Sequence, residues 1–242
     1  MRGCHVLKSL FLSLAAMTAT PIMAAGLQVT PIMLEIGKSQ PSDGLWLSNT
    51  GSNPLHAQVR VFEWTQHNNK DVLQTTRNFV ASPPLIQIDA GQKQFIRLVR
   101  TGQQQNPQET AYRIVVDELP LENDTRKGVT FVLRYSVPVF IQGSQEKQDV
   151  KLDWKISSNA NKAAVLSVTN TGNTRAQLSG LSFTPSKGKT VSLNNGLVGY
   201  VLGNSSMQWE IAPKAQLFAA GGVLGVRVNG KPQQIPISGL NR

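Results

Sequence analysis

The side chains that most often carry catalysis are few in this sequence. Neither His56 nor His67 lies at a recognisable spacing from a serine or cysteine nucleophile. Nucleophilic catalysis needs such a neighbour, because the nucleophile is weak until a base removes its proton. Asp117 and Glu118 are adjacent in an alternating segment, so they would face opposite sides of a strand. They could not act jointly as acid and base.

Metal and phosphate sites also have weak support. Zinc is held by several His, Cys or acidic ligands, whereas these residues are dispersed and Cys4 is the single cysteine. The glycines form no phosphate-binding pattern between a strand and a helix. We therefore expect a protein that is not an enzyme and that uses no cofactor and no metal. A secreted hydrolase is the remaining catalytic alternative.

The amino terminus predicts export to the periplasm. Arg2 and Lys8 precede the apolar stretch Ser9–Ala16 and a run of small residues, so residues 1–25 are interpreted as a cleaved signal peptide. Cleavage would remove Cys4 and lower the formal net charge from +10 to +8. No later segment approaches the roughly 18 consecutive apolar residues of a membrane span, so no membrane insertion is expected.

The basic charge bears on the kind of partner. A basic surface favours acidic partners or carboxylates. The lysines and arginines are spread along the chain rather than clustered, and an exported protein does not meet nucleic acid in the ordinary course, so nucleic acid is not an expected partner.

The elements that must position any site are strands. Short β-branched or aromatic runs, bounded by Gly, Pro, Asn and Ser, recur throughout the chain and predict an all-β class. The first seven runs suit one immunoglobulin-like sandwich. They are Leu27–Ile36, Gly44–Ser48, Leu55–Trp64, Leu85–Ile88, Gln94–Val99, Ala111–Glu118 and Val129–Ile141.

A polar stretch at residues 143–148 predicts a linker. It separates a first domain, residues 26–142, from a second, residues 149–242. Seven further runs suit a second immunoglobulin-like sandwich, so two sandwiches in tandem are expected. These runs are Asp149–Ile156, Ala163–Thr169, Ala176–Phe183, Gly199–Leu202, Met207–Ile211, Val223–Val228 and Gln233–Ile237.

The tripeptide Asn-Thr-Gly follows a strand twice, at residues 49–51 and 170–172. One interpretation is two ordinary tight turns with a residue at positive φ. The other is two copies of the same strand-turn-strand unit.

The segment Val129–Ile141 has one apolar face along its whole length. As a strand it would reach roughly 40 Å, more than a small sandwich requires, so part of it could overhang. Pro138 cannot donate a ladder hydrogen bond, which indicates an edge or a bulge. An edge strand with an apolar face invites pairing with another chain.

The two parts of this strand receive different interpretations. The last three apolar residues, Val137, Val139 and Ile141, are expected in the core of their own domain. The earlier ones are expected to be donated to a partner. These are Val129, Phe131, Leu133 and Tyr135.

Four segments together resemble periplasmic pilus chaperones of the chaperone-usher pathway. They are Glu109–Pro120, Ser82–Leu85, Gln94–Leu98 and Leu27–Pro31. The resemblance implies two sandwiches in a boomerang arrangement and donation of a strand to an incomplete pilin, a known mode of strand addition. It also implies pilin subunits and an outer-membrane usher as partners.

The resemblance is incomplete at the expected anchor. Classical family members hold the terminal carboxylate of the pilin with basic residues at positions that here align with Met33 and about Pro138. The pattern is closer to the archaic-type branch. A carboxylate is best held by the planar fork of arginine, so the replacement anchors proposed are Arg113 first, then Arg97, Arg100 and Arg134.

Three further expectations stay open at this point. Glu118 matches an acid that pairs with a base at the domain junction, but the matching partner position is Gln142; Glu118 could instead cap a strand end. The apolar edge makes self-association of the partner-free protein reasonable. The main alternative to a chaperone is a secreted adhesion or scaffold module, which would keep Val129–Leu133 in its own core.

Overall fold

A computed structural model describes residues 26–102, 106–120, 132–145, 149–212 and 214–240. Apart from one short 3-10 turn at Ala215–Phe218, the regular elements of these residues are strands. They form two pairs of sheets, one pair built before residue 142 and the other after residue 151. The predicted all-β class with two immunoglobulin-like sandwiches is confirmed.

The first sandwich consists of a four-stranded and a six-stranded sheet. Its strands are β1 (Leu27–Thr30), β2 (Leu34–Ile36), β3 (Ser42–Asn49), β4 (Leu55–His67), β5 (Lys70–Thr75), β6 (Phe79–Ser82), β7 (Leu85–Ile88), β8 (Lys93–Arg100), β9 (Thr110–Leu119) and β10 (Arg134–Ile141). One sheet has the order β1-β3-β8-β6, and the other has β2-β10-β9-β4-β5 with β7 beside β4. We call the second one the β10 sheet.

The core of the first sandwich lies between these sheets. Alternate residues of each strand face it, as the two-residue period of a strand requires. Leu45 and Leu47 of β3 are fully buried there, opposite Ile114 and Val116 of β9.

The second sandwich has a three-stranded and a four-stranded sheet. Its strands are β11 (Leu152–Ser158), β12 (Ala164–Asn170), β13 (Ala176–Pro185), β14 (Val191–Val201), β15 (Ser205–Ala212), β16 (Gly222–Val228) and β17 (Lys231–Ile237). The sheet orders are β11-β12-β15 and β14-β13-β16-β17. Leu166, Leu178, Phe183 and Phe218 are buried between the two sheets.

Two predicted strands of the first domain are not continuous strands over their described residues. Leu27–Ile36 is two strands, because the chain crosses at residues 31–33 from the sheet of β1 to the sheet of β2. The predicted strand Val129–Ile141 is described from residue 132 and is in a strand only from Arg134.

Three strands escaped the sequence pattern in whole or in part. The strands β5 and β6 were not predicted, and β14 was predicted only in its last part. Most residues of β5 are exposed, as is most of β14 before Val198. Because so few of their side chains are buried, β5 and the first part of β14 lack the apolar alternation that predicts a strand. They are held in place by backbone hydrogen bonds to a neighbouring strand.

The two Asn-Thr-Gly motifs are equivalent in structure. The side chain of Asn49 donates to the carbonyl four residues later and to that of Ile88, and it accepts from the N–H two residues later. Asn170 forms the same bonds, with Val201 in place of Ile88. The interpretation as two copies of one unit is confirmed. The expected positive φ was wrong, since neither motif contains such a residue.

Candidate functional site

The strand β10 is paired differently in its two halves. All of it pairs antiparallel with β9, from Arg134 to Ile141. On its other side, β2 pairs in parallel with residues 139–141 alone. Among the described residues, no strand covers that side from Arg134 to Pro138. This half of β10 is therefore a sheet edge, in agreement with the expectation from Pro138.

The register shows which backbone groups face this edge. Glu118 N–H donates to the carbonyl of Leu133 at 2.9 Å, which makes them a hydrogen-bonded pair of the antiparallel ladder. Such pairs alternate along the strand, so the odd-numbered residues point their backbone groups at β9. Arg134 and Ser136 point theirs outward, and Pro138 occupies the next outward position, where no N–H is needed.

The side chains of β10 follow the predicted alternation. Val137, Val139 and Ile141 lie in the core of the first sandwich. Tyr135 is half-buried against the same core, and its hydroxyl donates to the carbonyl of Leu27 at 2.6 Å. Leu133 is 38% exposed. Val129 and Phe131, two of the predicted donor residues, lie outside the described residues.

Aromatic side chains of both sandwiches meet on the outer face of the β10 sheet. Trp64 and Phe140 come from the first sandwich, and Tyr200 from the second. Their ring centroids are 5.5–5.8 Å apart, a separation typical of favourable aromatic pairs. All three rings are buried, together with Leu202. We call this group the junction cluster.

One amide side chain connects the sandwiches next to this cluster. Gln66 accepts from the N–H of Leu202 at 2.8 Å and donates to the carbonyl of Tyr200 at 2.9 Å. It also donates to Asp71 at 2.9 Å, and Asp71 accepts from Trp64 Nε1 at the same distance. Buried polar groups are costly without such partners, so these bonds hold the second sandwich against the first.

Arg113 lies on the outer face of the β10 sheet, against the junction cluster. Its neighbours on β9, Tyr112 and Ile114, face the core, so Arg113 faces the other way. Its guanidinium carbon is 3.7 Å from the Trp64 ring centroid and 5.7 Å from that of Tyr200. Burial lowers the pKa of Arg113, although Asp71 acts in the opposite direction.

A second arginine contacts the cluster from the other domain. Arg175 lies 3.8 Å above the Phe140 ring and forms ion pairs with Glu109 and Glu35. Its backbone N–H also donates to Glu109 at 2.9 Å. Burial raises the pKa of Glu109, and the charge and hydrogen bonds of Arg175 only partly offset this.

The other proposed anchors lie in different places. Arg97 is exposed on β8, in the sheet opposite β10. Arg100 is half-buried and donates to the carbonyl of Lys38 at 2.8 Å. Arg134 is exposed on the edge half of β10 and pairs with Asp117. Arg113 alone of the four contacts the junction cluster.

Glu118 does not take part in the junction. It belongs to the end of β9 that pairs with Ala57 and Leu133, whereas the junction cluster adjoins Ala111 at the opposite end. Its carboxylate accepts from the N–H of Leu133 at 3.2 Å, which agrees with the strand-capping alternative. In the described part of the chain, the ion pairs that join the domains are those of Arg175 with Glu35 and Glu109, and sequence reasoning missed them.

The part of the chain that the structure describes has neither a metal-binding cluster nor a membrane-spanning helix. No group of three or more His, Cys, Asp or Glu could hold a metal ion there. No helix among these residues is long and apolar enough to cross a membrane.

Comparison with known families decides which class of protein has this architecture. The model of the pili and flagellar-assembly chaperone, PapD N-terminal domain, matches residues 26–146, which is half of the chain. The chain belongs to this family. Because the family consists of chaperones, the protein is a pilus-assembly chaperone and not an enzyme.

Solved structures of pilus chaperones have the same fold as this chaperone. It resembles a chain in the CsuC-CsuE complex of chaperone and tip adhesion subunit, from the archaic chaperone-usher Csu pili of Acinetobacter baumannii. The identity is 28% and the TM-score 0.68, over 90% of this chain and 100% of that one. This likeness agrees with the expected archaic-type branch.

Two more distant structures resemble the chaperone in fold. The E. coli chaperone DraB is 20% identical, with a TM-score of 0.58 over 90% of this chain and 97% of that one. A chain of the Salmonella enterica complex of SafA pilin and SafB chaperone is 17% identical, with a TM-score of 0.60 over 87% and 96%. The comparison with curated proteins found no significant match.

Proposed function

We propose that this chaperone holds pilus subunits in the periplasm by adding its own strand to them and passes them to an outer-membrane usher. The observation that supports this best is the sheet edge at Arg134–Pro138. It presents the outward backbone groups of Arg134 and Ser136 and continues from the exposed Leu133. A partner strand could extend the β10 sheet there by main-chain hydrogen bonds.

The donated side chains are Val129, Phe131 and Leu133 in this proposal, with Tyr135 at the boundary. Burying each apolar side chain in a partner contributes roughly 1.5 to 3 kcal/mol before ordering costs. Tyr135 already packs against its own core and hydrogen-bonds Leu27. In this proposal, the residues before Tyr135 contact the partner, and the residues after it belong to the core of the first sandwich.

A secreted scaffold module is less well supported. That alternative requires Val129–Leu133 to be buried in the first domain. The described residues at the end of this segment, Val132 and Leu133, are 51% and 38% exposed. The same exposed edge favours self-association when no pilin is bound.

We also propose Arg113 as the anchor for the terminal carboxylate of the pilin. Its direct neighbour on β10 in the register is Pro138, the position where other family members were expected to carry a base. Directly opposed residues lie about 5 Å apart, so the basic group would move from β10 to the neighbouring strand β9 and stay on the outer face of the same sheet. We retain residues 143–148 as the proposed linker.

Amide hydrogen exchange tests strand addition directly. Adding a pilin should slow exchange at Arg134 and Ser136, because their N–H groups gain acceptors on the partner strand. The amides of Val137 and Val139 provide the matched control, since they already face β9 and should change little. Stable pilin binding without added protection at Arg134 and Ser136 would show that the partner docks elsewhere.

A further inference from the structure

The guanidinium of Arg113 is stacked on ring faces and forms no ion pair with any described residue. Stacking uses the face of the guanidinium and leaves the N–H groups at its rim available for hydrogen bonds. Arg113 is half-buried, so a ligand has access to it. The charge of Asp71 offsets part of the desolvation of this guanidinium without forming an ion pair with it. A partly desolvated cation in this position favours an incoming anion.

One of the two rings that hold Arg113 belongs to the other domain. Tyr200 is the last but one residue of β14, and its hydroxyl accepts from Gln177 at 2.9 Å. Gln66 holds the backbone on both sides of this ring, at Tyr200 and Leu202. The position of Tyr200 against Arg113 therefore depends on how the second domain is docked.

The second arginine of the junction shows what a purely structural role looks like. Arg175 also stacks on a ring of the cluster, but Glu109 and Glu35 neutralise it. Arg113 has similar aromatic support, but it forms no ion pair with a carboxylate of the described residues, and Asp71 acts on it only from a distance. Among the described residues, the junction thus has one arginine that is ion-paired and one that is not.

We infer that Tyr200 and Gln66 position Arg113 for a carboxylate, so that the anchor site is formed jointly by both domains. This inference rests on the proposed role of Arg113. Tyr200 is a positioning residue here, since it restricts the guanidinium and does not itself bind the ligand. By linkage, a bound carboxylate should favour the docked arrangement of the domains by the same factor that docking favours carboxylate binding.

The test compares two peptides that carry the last strand of a pilin protected by the chaperone on co-expression. One ends in a free carboxylate and the other in a carboxamide. Wild type should bind the carboxylate about tenfold more tightly, in line with one or two charge-assisted hydrogen bonds. Arg113→Met should abolish this preference, whereas Arg97→Met, on the opposite sheet, should keep it.

The positioning role is then read from Tyr200 variants. Tyr200→Leu should reduce the preference to about twofold while carboxamide binding changes little. Tyr200→Phe keeps the ring and should behave as wild type. Gln66→Ala keeps both the arginine and the ring and should give an intermediate preference, which covers the case in which Tyr200→Leu fails to fold.

Three results would overturn the inference. If Tyr200→Leu and Gln66→Ala keep the full preference, Arg113 acts without the second domain. If they weaken both peptides equally, their role is structural only. If wild type itself does not distinguish the peptides, the proposed anchor role of Arg113 fails as well, which separates failure of the function from failure of this inference.

Discussion

The two ends of the β10 sheet differ in how completely they are closed. At the junction end, residues 139–141 are paired on both sides, and the Arg175 ion pairs and the junction cluster cover the outer face. At the distal end, Arg134–Pro138 is paired on one side among the described residues, and the partly exposed side chains of Arg60 and Arg134 contact Asp117. The same strand is therefore a core element at one end and, in the proposed function, a binding edge at the other.

The largest difference should appear when one charge is placed at each end. Val139→Asp puts a carboxylate at a fully buried core position and should lower the free energy of unfolding by more than about 4 kcal/mol. Leu133→Asp should change it by about 0.5 kcal/mol or less. Urea unfolding of the two variants measures this, and similar losses would show that both ends belong to the core.

Removing an arginine from each end sharpens the comparison. Arg175→Met leaves the buried Glu109 without its partner and should cost about 3 to 5 kcal/mol. Arg134→Met breaks an ion pair whose arginine side chain is 68% exposed and should cost at most about 1 kcal/mol. Thermal unfolding midpoints would order the variants, and an equal loss would contradict a closed junction and an open edge.

The carboxylates at the two ends should respond to pH in opposite directions. Burial raises the pKa of Glu109 above its ordinary value of 4.5, so its contribution to stability is present below that value and lost as the pH rises through the folded-state pKa. At Asp117, burial acts to raise the pKa, but the hydrogen bonds and charges of Arg134 and Arg60 outweigh it and lower the pKa below 3.8.

The contribution of Asp117 is therefore present above pH 3.8 and lost as the pH falls. Between pH 3 and 7, ionisation of Glu109 should lower the free energy of unfolding of the wild type as the pH rises. Glu109→Gln should remove this decrease. At the acidic end of this range, protonation of Asp117 should lower the free energy of unfolding of the wild type by a smaller amount, and Asp117→Asn should remove that decrease. Variants that shift the profile in the same direction would contradict these assignments.

The parts of the site that follow local patterns could be predicted from the sequence. The alternation of Val137, Val139 and Ile141 predicted their burial, because facing in a strand repeats every two residues. Pro138 predicted an edge for a similarly local reason, its missing N–H group. The fold class followed from many such runs, each with a bounded apolar pattern.

The parts that depend on register and domain docking could not be predicted. Only the pairing of β9 with β10 places Arg113 opposite Pro138. The contacts of Gln66 with Tyr200, and of Arg175 with Glu109, join residues far apart in the chain. No local sequence pattern signals such contacts. The suggested role of Glu118 at the domain junction failed for the same reason, because the junction lies at the other end of β9.

The most direct test of strand donation is recovery of a co-expressed pilin from the periplasm with Phe131→Asp plus Leu133→Asp. Val132→Asp is the matched control, since it adds charge to the opposite face of the segment. We predict that the double variant stays folded but loses the pilin, whereas the control retains it. Pilin recovery at the wild-type level with a folded double variant would contradict the donor assignment, and unfolding of that variant would place these residues in the chaperone's own core.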